Sequence, residues 1–360
     1  MSEASIRTWL AAPLSSDVAD ALERLRHAPD VQQIAVMPDV HLGADVCIGV
    51  VVATESLIYP QAVGGDIGCG MLAVATDLEA SALANPRLAG QVLAGFGRAV
   101  PARRRNRRDG IPMPDGIRAS PEEMLEFATL GSGNHFLELQ ADEDGRLWLM
   151  IHSGSRGLGQ AVRDRHLARA QPVDGKMRAL DASSDSGREY LLEAENARRF
   201  ADGSRRAMAE QAGRVLGADL CWETLITTDH NHLAREQHGG RELWVHRKGA
   251  MPAGLGQSGV LPGSMGTLSF HVEGRGCEEA LCSSAHGAGR RLSRTEARSR
   301  ISERDLRREM EGIWFDSRLA REFRDEAPSA YKDIRAVLRA QSELVKVTRR
   351  LRPVLNYKGT

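Results

Sequence analysis

Glycine-rich turns bearing potential ligand or phosphate-binding groups recur along this chain from position 38 to position 358. That distribution constrains the fold more than any other feature. Asp66-Ile67-Gly68-Cys69-Gly70 sets a carboxylate and a thiol three residues apart, and His135, His152 and His230 follow, each in a turn flanked by glycine or asparagine. His286 lies in Ala285-His286-Gly287-Ala288-Gly289-Arg290, where it can act as a nucleophile rather than a ligand. A site assembled from so many distant segments favours one domain over residues 1–360 and gives no linker at which to divide it. The expected class is α+β, a mixed β core with helical insertions.

Local patterns fill in that outline. Residues 16–28 read as an amphipathic helix capped by Ser15 or Ser16, with Leu22 and Leu25 one turn apart. Strand-like runs cover 33–37, 46–54, 70–76, 135–140, 146–151, 242–246, 267–273 and 353–357. Ser120-Pro121-Glu122-Glu123 is a helix start with a capping-box pattern. Residues 157–215 are charged and alanine-rich, which predicts a helical insertion broken near Asp181–Gly187, and further helices are expected at 302–313 and 329–349.

Bulk properties exclude several classes. No run of about eighteen apolar residues is present, so no membrane-spanning helix is expected. The first residues lack the charged-then-apolar pattern of a secretory leader. The five cysteines, Cys47, Cys69, Cys221, Cys277 and Cys282, form an odd, scattered set, which points to a reducing cytoplasm rather than a disulfide framework. Formal net charge is zero, yet only five of the 48 basic residues are lysines, so Lys248 and Lys358 beside glycine-rich segments carry more information than any single arginine.

The turns with Asp66, Cys69, His135, His152 and His230 combine hard, intermediate and soft donors. Taken singly, each reads as an ordinary turn; together they read as a metal site in which the Cys69 thiolate can bridge two ions, with zinc the first choice from ligand type. Around His286, the small-residue loop Pro262-Gly263-Ser264-Met265-Gly266-Thr267 can present N–H groups to phosphate. Arg290 and Arg294 are spaced to share a helix face suited to phosphate, and structural turns remain the competing reading. His246-Arg247-Lys248 adds three adjacent basic groups, and the arginine-rich run at 103–108 is either an RNA-phosphate grip or a solvated loop.

In this order the motifs resemble one family closely, the RtcB RNA ligases. The resemblance covers Met37-Pro38-Asp39-Val40-His41, the Asp66–Met71 turn, Gly131–Glu138, His152–Gly159, Asp229–Asn231, His246–Ala250, Pro262–Phe270, Ala285–Arg294, Tyr331-Lys332-Asp333 and the terminal Lys358-Gly359. It implies a central metal and nucleotide cleft holding two manganese ions, one on Asp66, Cys69 and His135, the other on Cys69, His152 and His230. It implies His286 as the residue that takes GMP from GTP. Nucleotide contacts are implied for Asn134, Glu138, His230, Asn231, Pro262, Gly263, Ser264, Met265, Ser269, Gly287, Ala288, Gly289, Tyr331 and Lys358. RNA or phosphate contacts are implied for Asp39, His41, Arg156, Lys248, Arg290 and Arg294.

The implied reaction joins an RNA 3′-phosphate or 2′,3′-cyclic phosphate to a 5′-hydroxyl, in tRNA splicing or RNA repair, and an activating protein partner is part of that expectation. A metal-dependent cyclic phosphodiesterase and an RNA-end-binding protein are the competing functions. Three departures from the family pattern, Ala44-Asp45-Val46-Cys47, Met251 and His271, remove no ligand but bear on substrate choice.

Overall fold

The computed structural model describes residues 4–104, 111–175 and 177–359. Arg105 to Arg108 of the basic run therefore lie outside the described residues. The class is α+β. Two larger sheets carry the molecule and two small ones brace it.

The first sheet has the strand order β1-β2-β3-β12-β11, built from β1 (Ser5–Thr8), β2 (Val31–His41), β3 (Ile48–Thr54), β12 (Arg241–Lys248) and β11 (Asn231–His238). Only β1 and β2 pair in parallel; the other pairs within this sheet are antiparallel. The period-2 rule places alternate side chains on opposite faces, and both faces here are covered. Ile34, Val36, Val50 and Val52 pack under α1 (Ser16–Arg26) with Val18, Leu22 and Leu25. Ala35, Met37, Val51 and Ala53 pack on the other side with Ala250, Ala285 and Val337. Each buried leucine of α1 contributes roughly 1.5–3 kcal/mol.

The second sheet runs β10-β5-β7-β6-β17-β15-β14. Its members are β10 (Leu220–Asp229), β5 (Gly70–Glu79), β7 (Arg146–Ser153), β6 (Phe136–Ala141), β17 (Val345–Tyr357), β15 (Ser269–Gly274) and β14 (Ser258–Leu261). Leu72, Val74, Leu149 and Ile151 face a core shared with α2 (Pro86–Ala99) and α5 (Asp185–Leu216). On the opposite face Met71, Ala73, Ala75, Trp148 and Met150 meet Val260 of β14 and Leu351 of β17. Strands from the two ends of the order thus share one inner core, so the sheet curls into a half-barrel. The braces are β13 (Ala250–Pro252) with β16 (Ser283–Ala285), and β4 (Leu57–Ile58) with β9 (Met177–Asp181) and β8 (Gln171–Asp174). No helix among the described residues is long and apolar enough to cross a membrane.

Several expectations need correction. The segment 157–215 is not wholly helical: α4 (Gly157–Arg169) and α5 are separated by the β8–β9 hairpin. The stretch 329–349 holds the end of a 3-10 turn (Pro328–Ala330) and one short α-helix, Ile334–Ala340, and from Val345 the chain is already in β17, where Val345, Val347 and Thr348 favour an extended backbone. The strand expected at 353–357 is therefore the end of a 13-residue one. Ser120 does form a capping box with Glu123, but the helix it starts ends at Met124. The helix expected at 302–313 spans Glu303–Glu309.

Candidate metal and nucleotide site

The second sheet explains how distant residues meet. Cys69 immediately precedes β5, His135 immediately precedes β6, His152 is the penultimate residue of β7, and His230 immediately follows β10. Antiparallel register pairs Gly70 with both Ser153 and Asp229, and Phe136 with His152. Four neighbouring strands thus deliver their ligand-bearing residues to one edge. His230 is also where the chain crosses from the second sheet into β11 of the first. Its carbonyl accepts the Ala250 N–H at 3.1 Å, and Ala250 pairs with Ala285 of β16, the strand that ends beside His286.

The donor atoms converge. Cys69 Sγ lies 3.3 Å from His152 Nε2 and 3.5 Å from His135 Nε2. His152 Nε2 is 2.9 Å from His230 Nε2, and His135 Nε2 is 2.9 Å from an Asp66 oxygen. These form two groups, Asp66–Cys69–His135 and Cys69–His152–His230, that share the thiol. The opposite ring nitrogens are fixed by the protein: His152 Nδ1 is 3.1 Å from the Asn134 carbonyl, and His135 Nδ1 is 3.0 Å from the Leu130 carbonyl. Carbonyl acceptors at Nδ1 select the tautomer that leaves Nε2 as a lone pair. Arg156 Nη1 also lies 2.9 Å from His135 Nδ1; the Leu130 carbonyl is the partner consistent with an Nδ1–H.

Electrostatics agree with that arrangement. Burial, then neighbouring imidazoles, holds His152 and His230 far below the usual histidine range, so both are neutral. Burial works against the charge on Asp66, but His135, the Cys69 thiol and the Arg156 N–H together outweigh it and lower the carboxyl to about 2. Burial and then Asp66 push the Cys69 thiol well up. A cation would compensate that thiolate, and its uptake releases a proton. Three imidazoles, one carboxylate and one shared thiol therefore fit a pair of divalent ions. Gly154 allows the close approach, because a Cβ there would collide with the Asp66 carboxylate.

Arg205 on α5 braces these turns from beneath and was not singled out by sequence reasoning. It is fully buried and donates to the Gly68 carbonyl at 2.7 Å, the Ser153 carbonyl at 2.9 Å and Asp229 Oδ1 at 2.7 Å.

Beside the cluster opens a cavity of about 280 Å³, close to the lower end of the usual range for small-molecule pockets. His286 lines it, its ring centroid 4.6 Å from that of His230. Fully buried Asp39 stands behind His286: Oδ2 is 2.7 Å from Nδ1, close but poorly aligned, and accepts the His286 backbone N–H at 3.2 Å. Lys332 secures Asp39 by donating to the carbonyls of Pro38 and Val40. Gly289 has φ +71°, and a Cβ there would collide with the Asp39 backbone. Asp39 is thus a neighbour of the His286 ring, not a wall of the cavity.

Asn134, Glu138, Pro262 to Met265, Ser269, Gly287 to Arg290, Arg294, Tyr331, Lys358 and His41 all line the same space. Burial pushes the Glu138 carboxyl up to about 8, although Gln140 and Asn356 both donate to it. Arg290 and Arg294 do not share a helix face, because Arg290 precedes Arg294–Arg300 and pairs instead with Tyr331 in an isolated bridge. They converge on Glu326, which also accepts from Tyr331 Oη at 2.8 Å and Lys358 Nζ at 2.9 Å. Glu326 and Phe136, whose ring centroid is 5.7 Å from Lys358 Nζ, also line it; Phe136 falls within the Gly131–Glu138 motif, whereas Glu326 lies in no motif that would have flagged it.

Other expected residues lie elsewhere. Asn231 spends its amide on the Asp66 carbonyl and the Gly249 N–H. Lys248 donates to the Val46 and Gln61 carbonyls, and His246 and Arg247 are buried, so the three basic neighbours form no cationic surface. Arg156 stands over the His135 turn instead of the cavity. Met251 and His271 are core residues, the latter edge-on to Trp148 at 4.6 Å.

Comparison of the sequence with known proteins matches the chain to a family. The sequence model described as tRNA-splicing ligase RtcB matches residues 21–117 and 113–359. An RNA-splicing ligase RtcB of Escherichia coli K12 is 37% identical over 99% of this chain and 98% of its own. One from Mycobacterium tuberculosis is 30% identical, covering 90% and 96%. The tRNA-splicing ligase RtcB of Methanococcus maripaludis is 27% identical, covering 90% and 87%. With a family match over nearly all of its length, this chain belongs to the RtcB family.

Proposed function

We propose that this protein is a GTP-dependent RNA ligase that joins a 3′-phosphate end, or a 2′,3′-cyclic phosphate end opened to one, to a 5′-hydroxyl end. The observation that carries the reading is the position of His286, which lines a nucleotide-sized cavity one imidazole away from the Cys69 cluster. The names of the relatives support the RNA ligase class.

Asp66, Cys69 and His135 would hold one manganese ion, and Cys69, His152 and His230 a second. When bound, such ions neutralise crowded phosphates and lower the pKa of a bound water or hydroxyl. Asp39 faces Nδ1 of His286 and so leaves Nε2 as the nucleophile. Nε2 attacks the α-phosphorus of GTP; a P–N bond forms, the bond to the β-phosphate oxygen breaks, and pyrophosphate leaves. An oxygen of the RNA 3′-phosphate then attacks the same phosphorus and breaks the P–N bond, which frees His286. Finally the 5′-hydroxyl oxygen attacks the activated RNA phosphate, loses its proton, and GMP leaves. Glu138, Lys358 and Tyr331 are suited to the guanosine end, and the loop at 262–265 with Gly287 to Gly289 to the phosphates. Tyr331 also orders Arg290, whose guanidinium lies 5.0 Å from its ring centroid. The reading includes cytoplasmic RNA as the substrate and an activating protein partner.

The test is a ligation assay with manganese, GTP and two RNA strands ending in 3′-phosphate and 5′-hydroxyl. Joined product that requires GTP is the expected result. Hydrolysis of 2′,3′-cyclic ends with no joining at any GTP concentration would replace the ligase with a phosphodiesterase.

A further inference from the structure

A second group of metal-ligating side chains lies outside the cavity and is used by no step above. His238, at the end of β11, Glu278 and Cys282 offer ligand atoms that all lie within 4.8 Å of one another. His238 Nδ1 is 3.0 Å from Glu278 Oε2, and Cys282 Sγ is 3.6 Å from Glu278 Oε1. Zinc bonds of about 2.0–2.3 Å set ligand atoms roughly 3.3–3.7 Å apart in a tetrahedron, so small side-chain adjustments would suffice. We propose that His238, Glu278 and Cys282 bind one borderline-soft divalent cation, zinc by ligand class, with the fourth position open to solvent.

What distinguishes this group from a chance surface cluster is the structure behind it. Glu236 lies 3.0 Å from His238 Nε2, the arrangement in which a carboxylate holds the far side of a metal-binding imidazole and directs the other nitrogen outward. Glu236 is itself held by Arg247, which is almost fully buried. The same guanidinium donates to the Leu281 carbonyl at 3.1 Å and to Ser283 Oγ at 2.9 Å, the residues on either side of Cys282. One buried arginine thus positions both the histidine's carboxylate and the turn that carries the thiol. Leu281 and Cys282 have φ of 51° and 44°, a left-handed pair unusual for residues with a Cβ. Cys282 directly precedes β16, which runs into His286. A cation here would tie the end of β11 to the start of the strand that delivers His286, and act on stability rather than chemistry.

The test uses the full-length, reduced protein, stripped of metal with a chelator and titrated with zinc alone against a chromophoric competitor. Counting relative to the unaltered chain cancels any zinc taken by the Cys69 cluster. Cys282→Ser and Glu278→Gln should each bind one tightly held zinc fewer, while Cys277→Ser should bind the same number. The Glu278 side chain is 61% exposed, so its replacement does not threaten folding. Zinc should raise the melting temperature of the unaltered protein more than that of either variant. Equal zinc counts in the unaltered chain, Cys282→Ser and Glu278→Gln would overturn the assignment, and GMP transfer to His286 would be untouched by that result.

Discussion

Glu138 illustrates how burial sets what one side chain can do. Alone in the cavity wall it is a carboxylic acid at neutral pH, because desolvation pushes it up to about 8 against the donors Gln140 and Asn356. The N–H groups on a guanine edge would pair best with its ionised form. Nucleotide binding should then expel a proton below pH 8. The apparent affinity for GTP should weaken as pH falls, approaching about tenfold per unit. Calorimetry in buffers of different ionisation enthalpy reads both proton release and affinity. Glu138→Gln should bind more weakly with no release, and a pH-independent affinity in the unaltered chain would remove Glu138 from the guanine contact. The same scale separates what sequence could and could not reveal. Asp66, Cys69 and the histidines announce themselves by residue type and glycine neighbours. Glu326 and Arg205 do not, since their importance comes from partners on other segments: Lys358, Arg290 and Arg294 for one, Gly68, Ser153 and Asp229 for the other.

At the scale of elements, the site depends on four antiparallel strands ending at one edge and on α5 beneath them. Arg205 joins the two. Its loss leaves two carbonyls without their donor and Asp229 with only Arg198 as a cationic partner. Arg205→Leu should cost about 3–5 kcal/mol of stability in urea denaturation. Manganese affinity should fall with it, while Arg206→Leu, half-exposed one residue on, should change neither. Strands buried on both faces, such as β5 and β7, were legible as continuous apolar runs. β10 was not, because its pairing with β5 is interrupted between Cys221 and Ile226 and several of its side chains are exposed. The stretch at 329–349 misled for a related reason. Its leucine, alanine and charged residues suit a helix, yet the β-branched residues from Val345 continue the sheet next to Glu273 and Val272.

Across the whole molecule, the C-terminal strand is the closing element. β17 passes through the interior of the half-barrel sheet, and Lys358, the residue that follows it, pairs with Glu326 in the cavity wall. Burial opposes the Glu326 charge, but Lys358 and Arg294 outweigh it and hold the carboxyl at about 2. Because the folded value lies below the unfolded one, near 4.5, this stabilisation is complete above pH 4.5 and is lost as pH falls toward 2. The unaltered chain should lose melting temperature across that window, whereas Glu326→Gln should start lower and change less. Parallel curves for the two would show that the clamp contributes nothing. The one-domain reading rests on the same feature, since segments from Asp39 to Lys358 meet around one cleft; no window of the sequence contains that closure. The most direct measurement of the central claim is covalent labelling. Incubate the protein with manganese and GTP labelled at the α-phosphate, denature it, and locate the label by mass spectrometry. An acid-labile GMP adduct on His286, absent from His286→Ala, is the predicted result; no adduct, or one that persists in His286→Ala, would contradict it.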